Sequence, residues 1–185
     1  AEELVKKIAK NFHFLNKGGG VTFSGGEPLL QHAFLTECLS LLEGKVLRAI
    51  QTSGFAAPET FRKALSHADY MLFDLKLMDE KAHIRYTGVS NKPILRNFAS
   101  LCESDLPFVA RTPLIPQVTD TPENLGAIAQ ILSAHGIKYI ELLPYNKMAG
   151  SKYALVEEVY APSFDTSVEC TPRTEIFETY GIEAR

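Results

Sequence analysis

The chain has 185 residues, with 19 Lys+Arg against 22 Asp+Glu and a formal net charge of −3. Hydrophobic residues make up 45% and charged residues 22%, which excludes a disordered or collagen-like chain and fits a globular domain able to bury about 70% of its unfolded surface. The near balance of charge gives no support for strong nucleic-acid or anionic-membrane binding.

No apolar run approaches the roughly 20 residues that span a bilayer, so no membrane association is expected. The start, Ala1-Glu2-Glu3-Leu4, lacks a basic region followed by an apolar stretch, and the missing initiator Met suggests a cut or processed start. Cys38, Cys102 and Cys170 lie more than sixty positions apart. That is neither a disulfide framework nor metal-ligand spacing, and it suggests a reducing cytoplasm. Cys38 and Cys102 fall on apolar helical faces and read as small hydrophobes.

Helical and strand signals alternate along the chain. Leu4, Val5, Ile8 and Phe12 recur at helical spacing before Gly18-Gly19-Gly20 breaks the pattern. Val21 to Phe23 reads as a strand. Pro28 opens a helix carrying Phe34, Leu35, Cys38, Leu39 and Leu42, stopped at Glu43-Gly44. Val46 to Ile50 is the second strand, and Pro58 begins a helix with Phe61 and Leu65. Tyr70 to Lys76 is a third strand, followed by a helix around Ile94, Leu95, Phe98 and Leu101. Phe108 to Arg111 is a fourth. Thr121-Pro122 starts a helix that turns Leu125, Ile128, Ile131 and Leu132 inward and closes at His135-Gly136. Lys138 to Leu143 is the fifth strand, and a last helix is expected from Thr171-Pro172 to Gly181. Five strands separated by helices imply βαβ units, a parallel sheet and an α/β fold in one domain over 1–185. A leading helix without a strand before it suggests that an opening strand is absent.

In parallel α/β folds ligands bind at the C-terminal ends of the strands. The first end is Ser24-Gly25-Gly26-Glu27-Pro28: the glycines let backbone approach a ligand, and Glu27 offers a carboxylate or simply serves the helix start. Gln51-Thr52-Ser53-Gly54 is small and polar. Asp74-Leu75-Lys76 puts acid and base two apart, on one strand face, as a clamp for a zwitterion or as an ion pair. Arg111, in an apolar strand, needs a buried partner or a ligand. Tyr145 and Asn146 offer a ring face and hydrogen bonds, or form a solvated turn. His13, His32, His67, His83 and His135 read as surface residues.

The segment Gly18 to Gln31, GGGVTFSGGEPLLQ, closely resembles the glycine-glycine-glutamate-proline region of radical S-adenosylmethionine (radical SAM) enzymes, specifically the glycyl-radical-enzyme activating family. Further matches follow in order: Gln51 to Phe55, Phe73 to Lys76, Tyr86 to Asn91, Arg111 with Pro113 to Pro116, and Glu141 to Tyr145.

The resemblance implies a partial (β/α) TIM-like barrel of parallel strands, with its first strand and cluster loop missing, and a cofactor across the strand ends. Gly25, Gly26 and Glu27 would meet the methionine amino group, and Lys76 the methionine carboxylate. Asp74 would help hold the SAM amino acid or ribose, or an associated cation, the Tyr145-Asn146 loop would take the adenine side, and Leu75, Gln51 and Thr52 are counted with the cofactor-binding residues. Arg111 would lie near the cofactor or the substrate backbone. The implied cofactors are S-adenosyl-L-methionine and a 4Fe-4S cluster. The implied reaction is reductive cleavage of SAM to a 5′-deoxyadenosyl radical, which takes a hydrogen from a backbone glycine of a pyruvate formate-lyase-like partner. Flavodoxin or ferredoxin would supply the electron. The family's C-x-x-x-C-x-x-C ligand loop is not in this sequence, so the chain by itself is expected to be inactive. Gln51 stands where these relatives often carry an acid, and Asn146 where they carry a histidine. The rival readings are a radical SAM enzyme for a small molecule and a cluster-free SAM-binding module.

Overall fold

The structure, a computed structural model, describes residues 1–146 and 161–185. The strands are β1 (Gly20–Phe23), β2 (Leu47–Thr52), β3 (Tyr70–Asp74), β4 (Phe108–Leu114), β5 (Tyr139–Pro144) and β6 (Glu183–Ala184). They form one sheet in the order β1-β2-β3-β4-β5-β6, open at β1 and β6. Parallel registers run Gly20↔Leu47 to Phe23↔Ile50, Ala49↔Tyr70 to Thr52↔Phe73, and Tyr139↔Glu183 to Ile140↔Ala184. Among the described residues the helices are α1 (Glu2–Ala9), α2 (Phe12–Leu15), α3 (His32–Leu42), α4 (Pro58–Leu65), α5 (Glu80–Thr87), α6 (Lys92–Cys102), α7 (Pro122–Ala134) and α8 (Thr174–Glu178). A 3₁₀ turn, Pro28–Gln31, leads into α3. None of these helices is long and apolar enough to cross a membrane.

By contact the chain forms two compact units, Ala1–Asp74 with Glu80–Ala110, and Leu75–Asp79 with Arg111–Arg185. In the first, Phe73 is fully buried, edge-on to Phe61 at 6.0 Å and tilted on Phe98 at 5.2 Å, and Phe98 meets Phe108 at 6.0 Å. Each buried ring contributes about 2–3 kcal/mol through the apolar area it removes from water. Leu35, Cys38, Leu39 and Leu42 face this core from α3. Phe34, expected beside them, is 42% exposed. In the second unit Leu125, Ile128, Ala129 and Leu132 of α7 are fully buried, as are Leu114, Ile140 and Phe177.

Four expectations need correction. α5 went unread because its EKAHIRYT sequence carries too few apolar residues for a periodic signal. His83 is not a surface residue: it is 3% exposed within α5. The last helix begins at Thr174 rather than Thr171, since Arg173 takes a left-handed φ of 48° that no helix continues through. There is a sixth strand: after Gly181, Glu183 N–H donates to Lys138 O (2.9 Å) and Leu142 N–H to Arg185 O (2.6 Å).

Candidate functional site

At the C-terminal end of β1 the chain turns through Gly25 (φ 89°) and Gly26 (φ 46°), both exposed, with open space where side chains would stand. Positive φ at two consecutive residues is what glycine permits and a Cβ penalises. Glu27 follows, and its carboxylate is directed back into the protein. Oε1 accepts from Leu29 N–H (3.2 Å), capping the 3₁₀ turn, and from the Thr52 hydroxyl. Oε2 accepts from Ser53 N–H (2.9 Å) and Ser53 Oγ (2.6 Å). One side chain therefore ties the glycine turn to the tip of β2, some 25 residues along the chain.

That tip is fixed from two further directions. Gly54 N–H donates to Thr52 Oγ1 (2.8 Å), and Asn97 of α6, 1% exposed, donates Nδ2 to Gly54 O (2.8 Å) and Ala56 O (3.0 Å). The Thr52 side chain is buried and engaged in this scaffold, while Gln51 alternates to the other face and is half-buried. Asp74 ends β3, also half-buried.

In the second unit, Leu75 and Leu77 are buried and Lys76 between them is half-buried. Leu75 N–H donates to Arg111 O at 2.8 Å. Arg111 is 8% exposed in β4. Asn124, in the first turn of α7, reaches the backbone on both sides of Leu77. At the end of β5, Tyr145 packs edge-on against Phe164 at 5.2 Å, and Asn146 is exposed.

The segment Tyr86 to Asn91 is anchored to α5. His83 Nδ1 and Val89 O lie 2.7 Å apart, so this nitrogen carries the proton, and Thr87 Oγ1 donates to His83 O (2.7 Å). Glu80 accepts from Ser90 Oγ (2.7 Å) and pairs with Lys92 Nζ (2.8 Å). The Lys92 bond, then that of Ser90, holds the Glu80 carboxyl below the usual carboxylate range.

Sequence reasoning missed the anchoring roles of Ser53, His83, Asn97 and Asn124. The signal available was a polar residue at a core-facing helical position, as with Asn97 beside Phe98.

The donor set does not suit an iron–sulfur cluster. Among the described residues no three His, Cys, Asp or Glu side chains come together as a metal site. Cys38 is buried in α3, and burial, reinforced by Glu103, pushes the Cys102 thiol up to about 11. Thiolates ligate iron and thiols do not, so these cysteines do not fit a 4Fe-4S cluster.

Comparison with known proteins gives a consistent result. The sequence profile of the Radical SAM superfamily matches residues 1–127. The chain is 40% identical over 143 residues to the isethionate sulfite-lyase activating enzyme of Desulfovibrio desulfuricans, covering 76% of this chain and 46% of that protein. It is 38% identical over 162 residues to the 4-hydroxyphenylacetate decarboxylase activating enzyme of Clostridioides difficile, covering 86% and 51%. The chain thus spans about half the length of the curated relatives it matches. A crystal structure of a domain of pyruvate-formate lyase-activating enzyme from Bacteroides vulgatus superposes with a TM-score of 0.70 at 33% identity, covering 91% of this chain and 98% of that one. With a profile match over more than half its length, and a solved domain matched nearly end to end, this open parallel α/β chain belongs to the radical SAM superfamily.

Proposed function

We propose that this chain is the SAM-binding part of a single radical SAM core in an activating enzyme that installs a glycyl radical on a partner enzyme. The observation that carries the reading is the Gly25-Gly26 turn, held by Glu27 onto the tip of β2 in a family whose members include activating enzymes of this kind.

The residues present suit SAM. The bare turn at Gly25 and Gly26 leaves room for the methionine amino group to meet backbone. Lys76 would neutralise the methionine carboxylate, Asp74 with Leu75 would lie along the amino acid or ribose, and Asn146 would face the adenine. Gln51 would border the pocket, with Thr52 supporting it through Glu27, and Arg111 would lie near cofactor or substrate backbone. Bound SAM supplies, on one-electron reduction, the radical that removes a glycine hydrogen. The cluster that delivers the electron would take its ligands from outside these 185 residues, and flavodoxin or ferredoxin would reduce it. Three free cysteines suit a reducing cytoplasm. The partner would be a pyruvate formate-lyase-like glycyl radical enzyme, a reading supported by the solved domain, while the curated relatives favour a decarboxylase or sulfite-lyase of the same class.

The test uses the full-length gene product, reconstituted anaerobically with iron and sulfide and mixed with SAM, reductant and each candidate partner. The expected result is 5′-deoxyadenosine formation with a glycyl-radical EPR signal on one partner. SAM cleavage with no radical on any partner would favour a small-molecule substrate, and SAM binding without cleavage a cluster-free binding module.

A further inference from the structure

Asn124 sits in the first turn of α7, where helix grammar asks only for a good first-turn residue. Thr121 caps that helix by accepting the Asn124 N–H (3.2 Å), and Pro122 occupies the first helical position. The Asn124 side chain is 7% exposed and serves a different element. Its Oδ1 accepts the Met78 N–H (2.9 Å), and its Nδ2 donates to Lys76 O (2.8 Å) and Thr119 O (2.8 Å). Both amide protons and the carbonyl are thus in use, with the partners' separation reaching 48 residues.

The pattern has a structural meaning. A carbonyl at one residue and an N–H two residues on are the groups that a neighbouring parallel strand would engage. The Asn124 amide therefore acts as one residue of an extra strand alongside Lys76–Met78, beyond the end of β3 at Asp74. On the other side, Leu75 N–H is held by Arg111 O. Leu75 and Leu77 are buried at 0% and 4%. The backbone carrying Lys76 is consequently fixed before and after the residue, and only its side-chain torsions are left to adjust. Lysine loses much rotamer entropy on forming a contact, so a locked backbone lowers what the ordered ammonium must overcome.

We propose that Asn124 is the positioning residue for Lys76, fixing the backbone from which its ammonium meets the carboxylate of the bound amino acid. This rests on the SAM reading above, and the experiment separates the two. In the full-length protein, equilibrium binding of SAM is compared with that of decarboxylated SAM, which lacks only the carboxylate. Wild type should favour SAM, and Lys76→Ala should abolish the preference. Asn124→Ala should weaken SAM by about 10-fold and decarboxylated SAM by less than about 2-fold, and should add nothing to Lys76→Ala. Equal weakening of both ligands, or additivity with Lys76→Ala, overturns the positioning role and leaves that of Lys76 intact. A wild type indifferent to the carboxylate, or a silent Lys76→Ala, removes the Lys76 reading and the Asn124 proposal with it. Should the alanine variant not fold, Asn124→Asp keeps the acceptor for Met78, removes the donors to Lys76, and is read by the same ligand comparison.

Discussion

Glu27 makes its contribution through hydrogen bonds within the first unit. Its two oxygens receive two backbone N–H groups and two hydroxyls, so its removal leaves Ser53 and Leu29 donors without their acceptor at the most constrained point of the glycine turn. Bonds to a charged acceptor contribute more than neutral ones, and Glu27→Ala should cost about 2 kcal/mol, a fall in Tm of roughly 4–8 °C for a chain of this size. A double-mutant cycle with Ser53→Ala should show coupling of about 1 kcal/mol. Additive losses would mean that the carboxylate is not held as described. Gly54 is constrained by close approach as well as by φ. At φ 75°, an added Cβ would stand 2.4 Å from Cζ of the fully buried Phe73. That ring is wedged between Phe61 and Phe98 and cannot retreat, so Gly54→Ala should destabilise by about 2–4 kcal/mol, measured by denaturant unfolding. An unchanged midpoint would show that the Phe73 packing is looser than these contacts require.

The joint between α3, β2 and β3 depends on one ion pair. Arg48, with 7% of its side chain exposed, donates Nε and Nη2 to the Asp69 carboxylate at 2.8 Å each and Nη1 to Leu39 O at 3.0 Å. The Asp69 side chain is 32% exposed. The difference in exposure sets the expected asymmetry. Asp69→Ala strands a buried guanidinium and should cost about 3 kcal/mol, whereas Arg48→Met leaves a carboxylate that water can reach and should cost about 1–2 kcal/mol. The hydrogen bond from Arg48 lowers the Asp69 pKa in the folded state. Its stabilisation is therefore complete above the unfolded value near 4 and is lost as pH falls through the lower folded value. Urea midpoints followed from pH 6 to pH 2 should drop steeply in wild type and less so in Asp69→Asn. Parallel curves would place the acid sensitivity elsewhere. At this scale the sequence was readable where local chemistry is decisive: Pro58 and Thr121-Pro122 mark helix starts, and the short apolar run from Tyr70 picks out β3. It was unreadable where a distant group decides. Phe34 and Leu35 are adjacent and equally apolar, yet only the helix's orientation on the sheet buries Leu35. Thr171 begins no helix because Arg173, two residues on, turns left-handed. Among the candidate site residues the glycine turn and the Asp74–Lys76 pair could be chosen from motif alone, but the inward commitment of Glu27 and Thr52 could not.

For the chain as a whole, the cysteines set what the 185 residues can do unaided. Cys38 and Cys102 belong to the first compact unit and Cys170 to the second. Cys38 is fully buried in α3, where burial raises its pKa. Cys102, at about 11, has on the order of one thiolate in a thousand at pH 8, so its alkylation should run about 100-fold slower than that of an ordinary thiol. Cluster assembly needs several thiolates converging on one iron–sulfur core, and among the described residues no such group of side chains comes together. After anaerobic incubation with iron and sulfide, the chain should therefore carry no stoichiometric 4Fe-4S cluster, as judged by iron analysis and by absence of the broad charge-transfer absorption near 400 nm. Slow labelling of Cys102 alongside this result would tie the lack of a cluster to thiols kept protonated. A stoichiometric 4Fe-4S cluster held by the cysteines of the folded chain would draw on Cys38, and the burial of Cys38 in α3 would then be wrong.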